Sequence, residues 1–198
     1  LSRATLDAVD LSGSMVDYAW LMHATLDSIT SSSVSFQFAN MTLASFDSSE
    51  FLKSDFTGAI LQQAALRNAK FVGSRFARSQ LQGASFADSL LNGASLVGAD
   101  LYAATLEGVE ANGADFSSAN LHSAVLKGAK LQGAIFRGST LHHADFTEAW
   151  IQDADFTGAV GLDTADFSLA TGKPKGMSFS TAQTIPLHRL HHGGGLRQ

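Results

Sequence analysis

Large apolar residues recur at every fifth position of this chain. Starting from Leu1, the series runs through Leu6, Leu11, Val16, Leu21 and Leu26 and holds its register to Phe156. Of its 32 positions, 16 are Leu and 11 are Phe, Val16, Met41 and Ile151 are also large and apolar, and only Ser31 and Ala111 depart. Two residues before each large residue lies a small one, in a column from Ala4 to Ala159 that holds 21 Ala and 7 Ser. Two residues after it lies a third column, which contains all 12 glycines that precede residue 160. A period of five belongs neither to the 3.6-residue helix nor to the two-residue strand. It is satisfied if the chain turns after every unit, so that the large and the small residue both point inward.

The glycine column then has a cause. A type II turn needs positive φ at its third residue, which glycine adopts without steric cost. Four right-angle turns close a square, so a coil has 20 residues and each residue stacks on the one 20 further along. With a coil spacing of ~4.8 Å, eight coils make a rod ~38 Å long. Stacking at 20 places Phe36, Phe56, Phe76, Leu96, Phe116, Phe136 and Phe156 in one inward column above Val16, an aromatic spine. The two exceptions carry their own compensation. Ser31 has Ile29 and Val34 beside it and Ala111 has Val109, so core volume is kept and both coils are expected to close, with Thr30 to Ser33 the expected site of a local bulge.

The sequence resembles the pentapeptide-repeat family, whose pattern is Ala-Asp/Asn-Leu/Phe followed by two variable residues. The resemblance rests on Ala99-Asp100-Leu101, Ala114-Asp115-Phe116, Ala119-Asn120-Leu121, Ala144-Asp145-Phe146 and Ala154-Asp155-Phe156, and it covers residues 1 to about 160. It implies an all-β fold, a right-handed quadrilateral β-helix of about eight 20-residue coils. The middle motif position varies widely here and faces solvent, so its identity is expected to cost the fold nothing. Residues 1–160 are assigned to the solenoid, 161–192 to a partial last coil and C-terminal cap with a short helix opening at Pro186, and 193–198 to a flexible tail. The register already runs at Leu1, which suggests a processed chain, a segment of a longer protein, or an end that pairs with another copy.

Charge refines the exterior. The chain carries 16% charged residues, below the ~25% of ordinary domains, and a net charge of −5. Stacking brings Asp47 to Arg67, Glu50 to Lys70, Asp55 to Arg75, Glu107 to Lys127 and Glu110 to Lys130, cross-coil pairs worth ~0–1 kcal/mol each. Residues 57–86 contain no acid, but their Arg67, Lys70, Arg75 and Arg78 form one band around the perimeter, too short for a run of phosphates, so no direct nucleic-acid contact is expected.

Candidate chemistry is sparse. No nucleophile, base and acid converge, and a filled interior leaves no room for a ligand site of ~300 Å³, so the chain is not expected to be an enzyme or to bind a cofactor. His122 and His142 stack, with His143 adjacent and Tyr102 one coil below; they are the candidates for a metal, though a closed site wants four ligands and surface histidines are the simpler reading. The chain has no cysteine. No apolar run approaches the ~20 residues of a membrane span, and with no leader in the sequence given a cytoplasmic location is expected.

The first functional reading is a scaffold that docks a protein on its flat faces, with Trp20 and Trp150 as contacts and Phe38, Leu43, Leu52, Ile60 and Leu90 scattered around them. A homodimer through the cap or an uncapped end is a second arrangement. The family resemblance adds another function, because some members mimic DNA, bind gyrase and confer resistance to its inhibitors. The acidic ladder of Asp7, Asp27 and Asp47 would serve that role, interrupted by Arg67/Lys70 and Lys127/Lys130. The third reading is a repeat segment of a larger secreted effector or secretion-system component.

Overall fold

The computed structural model describes residues 1–6 and 9–177. The chain winds as a solenoid of parallel bridges, each joining a residue to the one 20 further on, from Thr5 with Thr25 through Thr140 with Val160. Beyond that point the register slips to 21, at Asp145 with Asp166 and Trp150 with Thr171, and returns to 20 at Asp155 with Lys175. No helix occurs among the described residues. The short helix expected at Pro186 and the tail 193–198 lie outside them.

One repeat unit shows how the backbone is satisfied. Asp115 N–H donates back one coil to Ala94 O at 2.9 Å, while Phe116 and Ser118 N–H donate forward to Ile135 O and Arg137 O at 2.7 and 2.8 Å. Ala119 N–H closes the turn on Phe116 O at 3.0 Å. That leaves the N–H of Ser117, which the Asp115 carboxylate accepts at 2.8 Å. The middle Asp or Asn of the motif therefore has a structural task, contrary to the expectation that its identity costs nothing: it caps the one amide per unit that the coils leave over. Asp55, Asp100, Asp145 and Asn120 act in the same way on Thr57, Tyr102, Thr147 and His122. Where that position cannot reach, a side chain one coil earlier does so, as Asn92 caps Asn112 and Asn112 caps Gln132, both at 2.9 Å.

Each turn puts its third residue in the left-handed region, whether or not it is glycine; Phe38 and Lys53 stand at φ 57° and 52°. Glycine is needed where something lies across the corner. A Cβ on Gly58 would enter the Phe38 ring, and one on Gly172, at φ 116°, would enter the backbone of Gln152.

Inside, the large and small columns are buried from Leu21 to Phe156. Phe36, Phe56 and Phe76 stack at 5.1 and 4.7 Å, and Phe116, Phe136 and Phe156 at 4.9 and 4.8 Å, in two runs separated by Leu96. Rings of neighbouring columns meet them edge-on, Phe71 against Phe76 at 5.3 Å and 80° among them. After the register slip Phe167 still finds its stacking partner, Phe146, at 4.7 Å.

Ser31 is accommodated without the expected bulge. Thr30–Ser32 and Glu50–Leu52 form parallel strands β1 and β2, in register at 20. The turns that follow them stay open: Val34 N–H goes to the Ser54 hydroxyl at 3.1 Å, and Ser54 N–H to the Ser74 hydroxyl at 3.0 Å. Ser74 in turn donates to Phe51 O at 2.7 Å, the carbonyl that the open turn released. The Ser31 hydroxyl accepts Leu11 N–H at 2.9 Å. At Ala111 the turn closes ordinarily, Ala114 N–H to Ala111 O at 3.1 Å, with Val109 buried beside it.

Two comparisons by denaturant unfolding test this accounting. Phe76→Ala is expected to destabilise the rod by ~3–5 kcal/mol. Ser74→Ala strands a buried donor and a buried acceptor and should cost ~1–3 kcal/mol, whereas Ser89→Ala removes a buried hydroxyl that has no partner and should be neutral or stabilising. Equal losses at Ser74 and Ser89 would refute the assignment.

Candidate interaction surface

With the interior filled, any partner must meet side chains that leave the coil at the middle motif position and at the two turn positions. The residues predicted to form an acidic ladder are among them. Asp27 caps the Asp47 amide and bonds Ser45, at 2.9 and 2.6 Å, and Asp47 caps the Arg67 amide at 2.9 Å. The Arg67 guanidinium closes on Asp47 at 2.5 Å, and that hydrogen bond together with the Asp47 charge raises the arginine above its usual range. Both carboxylates thus hold backbone amides while keeping their charge, and Asp47 is paired with an arginine as well. Asp7 lies outside the described residues.

The other stacked charges divide. Lys70 meets Glu50 at 3.0 Å, Lys130 meets Glu110 at 2.5 Å and Arg75 approaches Asp55 to 3.9 Å. Glu107 and Lys127 form no ion pair, contrary to expectation; both leave from an exposed turn position, where holding two long side chains together gains little. Arg137 instead bonds Asp155 at 2.7 Å from the neighbouring column, an 18-residue offset that a search at 20 does not find. Asp155 is buried and caps Thr157. Bonds from the Thr157 hydroxyl and amide, and then from Arg137, hold its carboxyl down to about 2.

An aromatic corner stands out near the first coils. Tyr18 and Phe38, 20 residues apart, stack at 5.2 Å and 17° while remaining 69% and 47% exposed. Phe38 lies across Gly58, so the ridge ends where the next coil has no side chain. Trp20, two residues after Tyr18, is 66% exposed, and Met15 and Leu43 are exposed on the early coils as well. The sequence marked Trp20, Phe38 and Leu43 as scattered; it missed the pairing of Tyr18 with Phe38, for which the 20-residue spacing was the available signal. Trp150 is exposed on the opposite face, paired in the ladder with Lys130.

Tyr102 and His143, both exposed, form a second surface group with the half-buried His122 and His142. Tyr102 stacks on His122 at 5.4 Å, and His122 lies 6.1 Å from His142 and 5.6 Å from His143. His143 thus joins the cluster although it shares no column with the other two. Among the described residues no three His, Cys, Asp or Glu side chains already converge on a metal position, and no helix is long and apolar enough to cross a membrane.

Such a molecule is a β-solenoid whose chemistry lies on its outer faces. It belongs to the pentapeptide repeat family: eight copies of the repeat match, across residues 32–63, 59–96, 79–117 and 119–158. No curated protein matches the chain. Among solved structures it is similar to HetL, a pentapeptide repeat protein involved in heterocyst differentiation regulation from the cyanobacterium Nostoc sp. strain PCC 7120, at 24% identity and a TM-score of 0.51 over 89% of this chain and 85% of that one. It is also similar to a trypsin-treated variant of QnrB1, a plasmid-mediated fluoroquinolone resistance protein, at 15% identity and a TM-score of 0.60 over 91% of each chain.

The Asp155 bonds set a pH dependence. A carboxyl depressed in the folded chain contributes stability that is present above its unfolded value near 3.8 and is lost as pH falls through about 2. Unfolding free energy should therefore fall between about pH 4 and pH 2, and Asp155→Asn should flatten that limb; an unchanged acid limb in the variant counts against it.

Proposed function

We propose that this protein is a non-catalytic scaffold that docks a protein partner on its outer surface, and that the Tyr18–Phe38 corner with Trp20 is the contact. The reading takes the rod as a right-handed quadrilateral β-helix of about eight coils, with residues 161–192 as its last coil and cap. The observation that carries it is the exposed, stacked Tyr18–Phe38 pair. Stacking on a rigid corner fixes both rings before any partner arrives, which lowers the ordering cost of binding, and large aromatics are the residues that dominate contact energy.

The gyrase-binding alternative needs a continuous free acidic track. The Arg67–Asp47 pair, which interrupts the ladder, argues against it. A cytoplasmic location fits the scaffold reading and remains part of the proposal.

Affinity capture from the source cells separates the readings. A partner retained by the intact chain should be lost with Tyr18→Ser/Trp20→Ser and kept with Trp150→Ser, and added protein should leave gyrase supercoiling unchanged without inhibitor. Inhibition of supercoiling at micromolar protein would instead support the alternative, and a partner indifferent to the Tyr18/Trp20 change would move the contact elsewhere.

A further inference from the structure

One ladder of the rod carries an ordered run of charge. Its outward residues, paired at a spacing of 20, read Thr30, Glu50, Lys70, Leu90, Glu110, Lys130 and Trp150. Leu90 thus sits midway between two acid–base pairs of the same order, Glu50 with Lys70 at 3.0 Å and Glu110 with Lys130 at 2.5 Å. Both lysine side chains remain more than half exposed, at 53% and 52%, so these charges face solvent as well as each other. The adjoining turn column repeats the order, Asp47 before Arg67 and Glu107 before Lys127.

Turned end to end, an order of acid, base, apolar, acid, base becomes base, acid, apolar, base, acid, which is its own complement. A second copy laid antiparallel against this side, on a two-fold axis through Leu90, sets Glu50 opposite Lys130 of the second copy and Lys70 opposite Glu110 of the second copy. The symmetry repeats both contacts, and Leu90 meets its own copy at the centre. With the copies parallel and in step, every charge would meet its like, at a cost that excludes that arrangement. The flanking turn column leaves room for the contact, because Asn68 falls opposite Gly108 of the second copy. Asp88 leans over Gly108 of its own chain, where a Cβ would meet its carboxylate. That carries the charge away from the axis and toward Asn68 of the second copy, whose carboxamide can donate to it.

We propose that this side of the rod is the interface of an antiparallel homodimer, centred on Leu90 and held by reciprocal ion pairs. Each charge keeps its partner on the neighbouring coil and gains one of opposite sign across the interface, so the quartets alternate in sign. The run from Glu50 to Lys130 spans four coil steps, ~19 Å of the rod. One side of so slender a coil offers well under the ~1,600 Å² of a standard interface, so the dimer is weak, reversible and sensitive to salt. Tyr18 and Phe38 lie almost half a coil around from this ladder and stay exposed, so the dimer is independent of the partner contact proposed above.

Sedimentation equilibrium of the full chain between about 10 µM and about 500 µM tests this. The chain should dimerise reversibly, and raising salt from about 0.05 M to about 0.5 M should weaken the dimer roughly tenfold. Glu50→Lys and Lys130→Glu should each weaken it about tenfold, because each sets like charges against each other across the axis. The two changes in one chain restore opposite charges there and should bring association back to within about threefold of the original. A role confined to joining coils predicts the reverse, since the double change breaks both the Glu50–Lys70 and the Glu110–Lys130 pair. Tyr18→Ser/Trp20→Ser should leave the dimer unchanged. A chain that stays monomeric at low salt, a dimer indifferent to the single changes, or a double variant no better than the singles would overturn the proposal.

Discussion

An ordinary five-residue unit of this rod presents one problem in hydrogen bonding: four of its amides are taken by neighbouring coils and by the turn, and one is left facing outward. The ladder around Phe116 shows the division, with the Ser117 amide as the remainder. The rest of the molecule follows from meeting that remainder without breaking the stack. A carboxylate or carboxamide directly before the large residue reaches it, which is why the motif reads Ala-Asp/Asn-Leu/Phe. Asp27, Asp47, Asn92 and Asn112 meet it from a coil away instead. A polar exterior in this fold is thus partly interior in purpose.

That double use explains how much of the molecule could be read from the amino acids. The five-residue clock gave the 20-residue register and the inward Phe column, because stacking identical positions leaves no freedom in which residue meets which. It also brought together Asp47 with Arg67 and Glu110 with Lys130. The capping bonds were hidden, since a solvent-facing Asp reads as a free charge until the amide beside it is counted. Arg137 with Asp155 was hidden for a related reason: a side chain that crosses between columns obeys an 18-residue offset. The open turns at Ser31 and Phe51 needed knowledge of which carbonyls lose a partner, and only then do Ser54 and Ser74 appear as their replacements.

The surface reading shifts accordingly. Part of the charge that looked available to a partner is paired between coils, and beside it the surface carries two aromatic groups: the Tyr18–Phe38 ridge at one end and the Tyr102–histidine group toward the other. A repeat fold does not choose its partners by shape, because each coil is nearly the same square. It chooses them by where the repeats carry an unusual side chain, and those positions sit on corners that the backbone holds fixed.

One consequence concerns chemical ageing. Asn92-Gly93 and Asn112-Gly113 are the kind of dipeptide that loses ammonia when the glycine nitrogen attacks the preceding carboxamide and closes a cyclic imide. Here the nitrogens of Gly93 and Gly113 donate to Asn112 O and Gln132 O at 3.0 and 2.9 Å, and both carboxamide oxygens accept amides of the next coil. The winding of the chain engages the nucleophile and pins the carboxamide to the next coil, so ring closure at these most labile asparagines is disfavoured for as long as those coils stay closed.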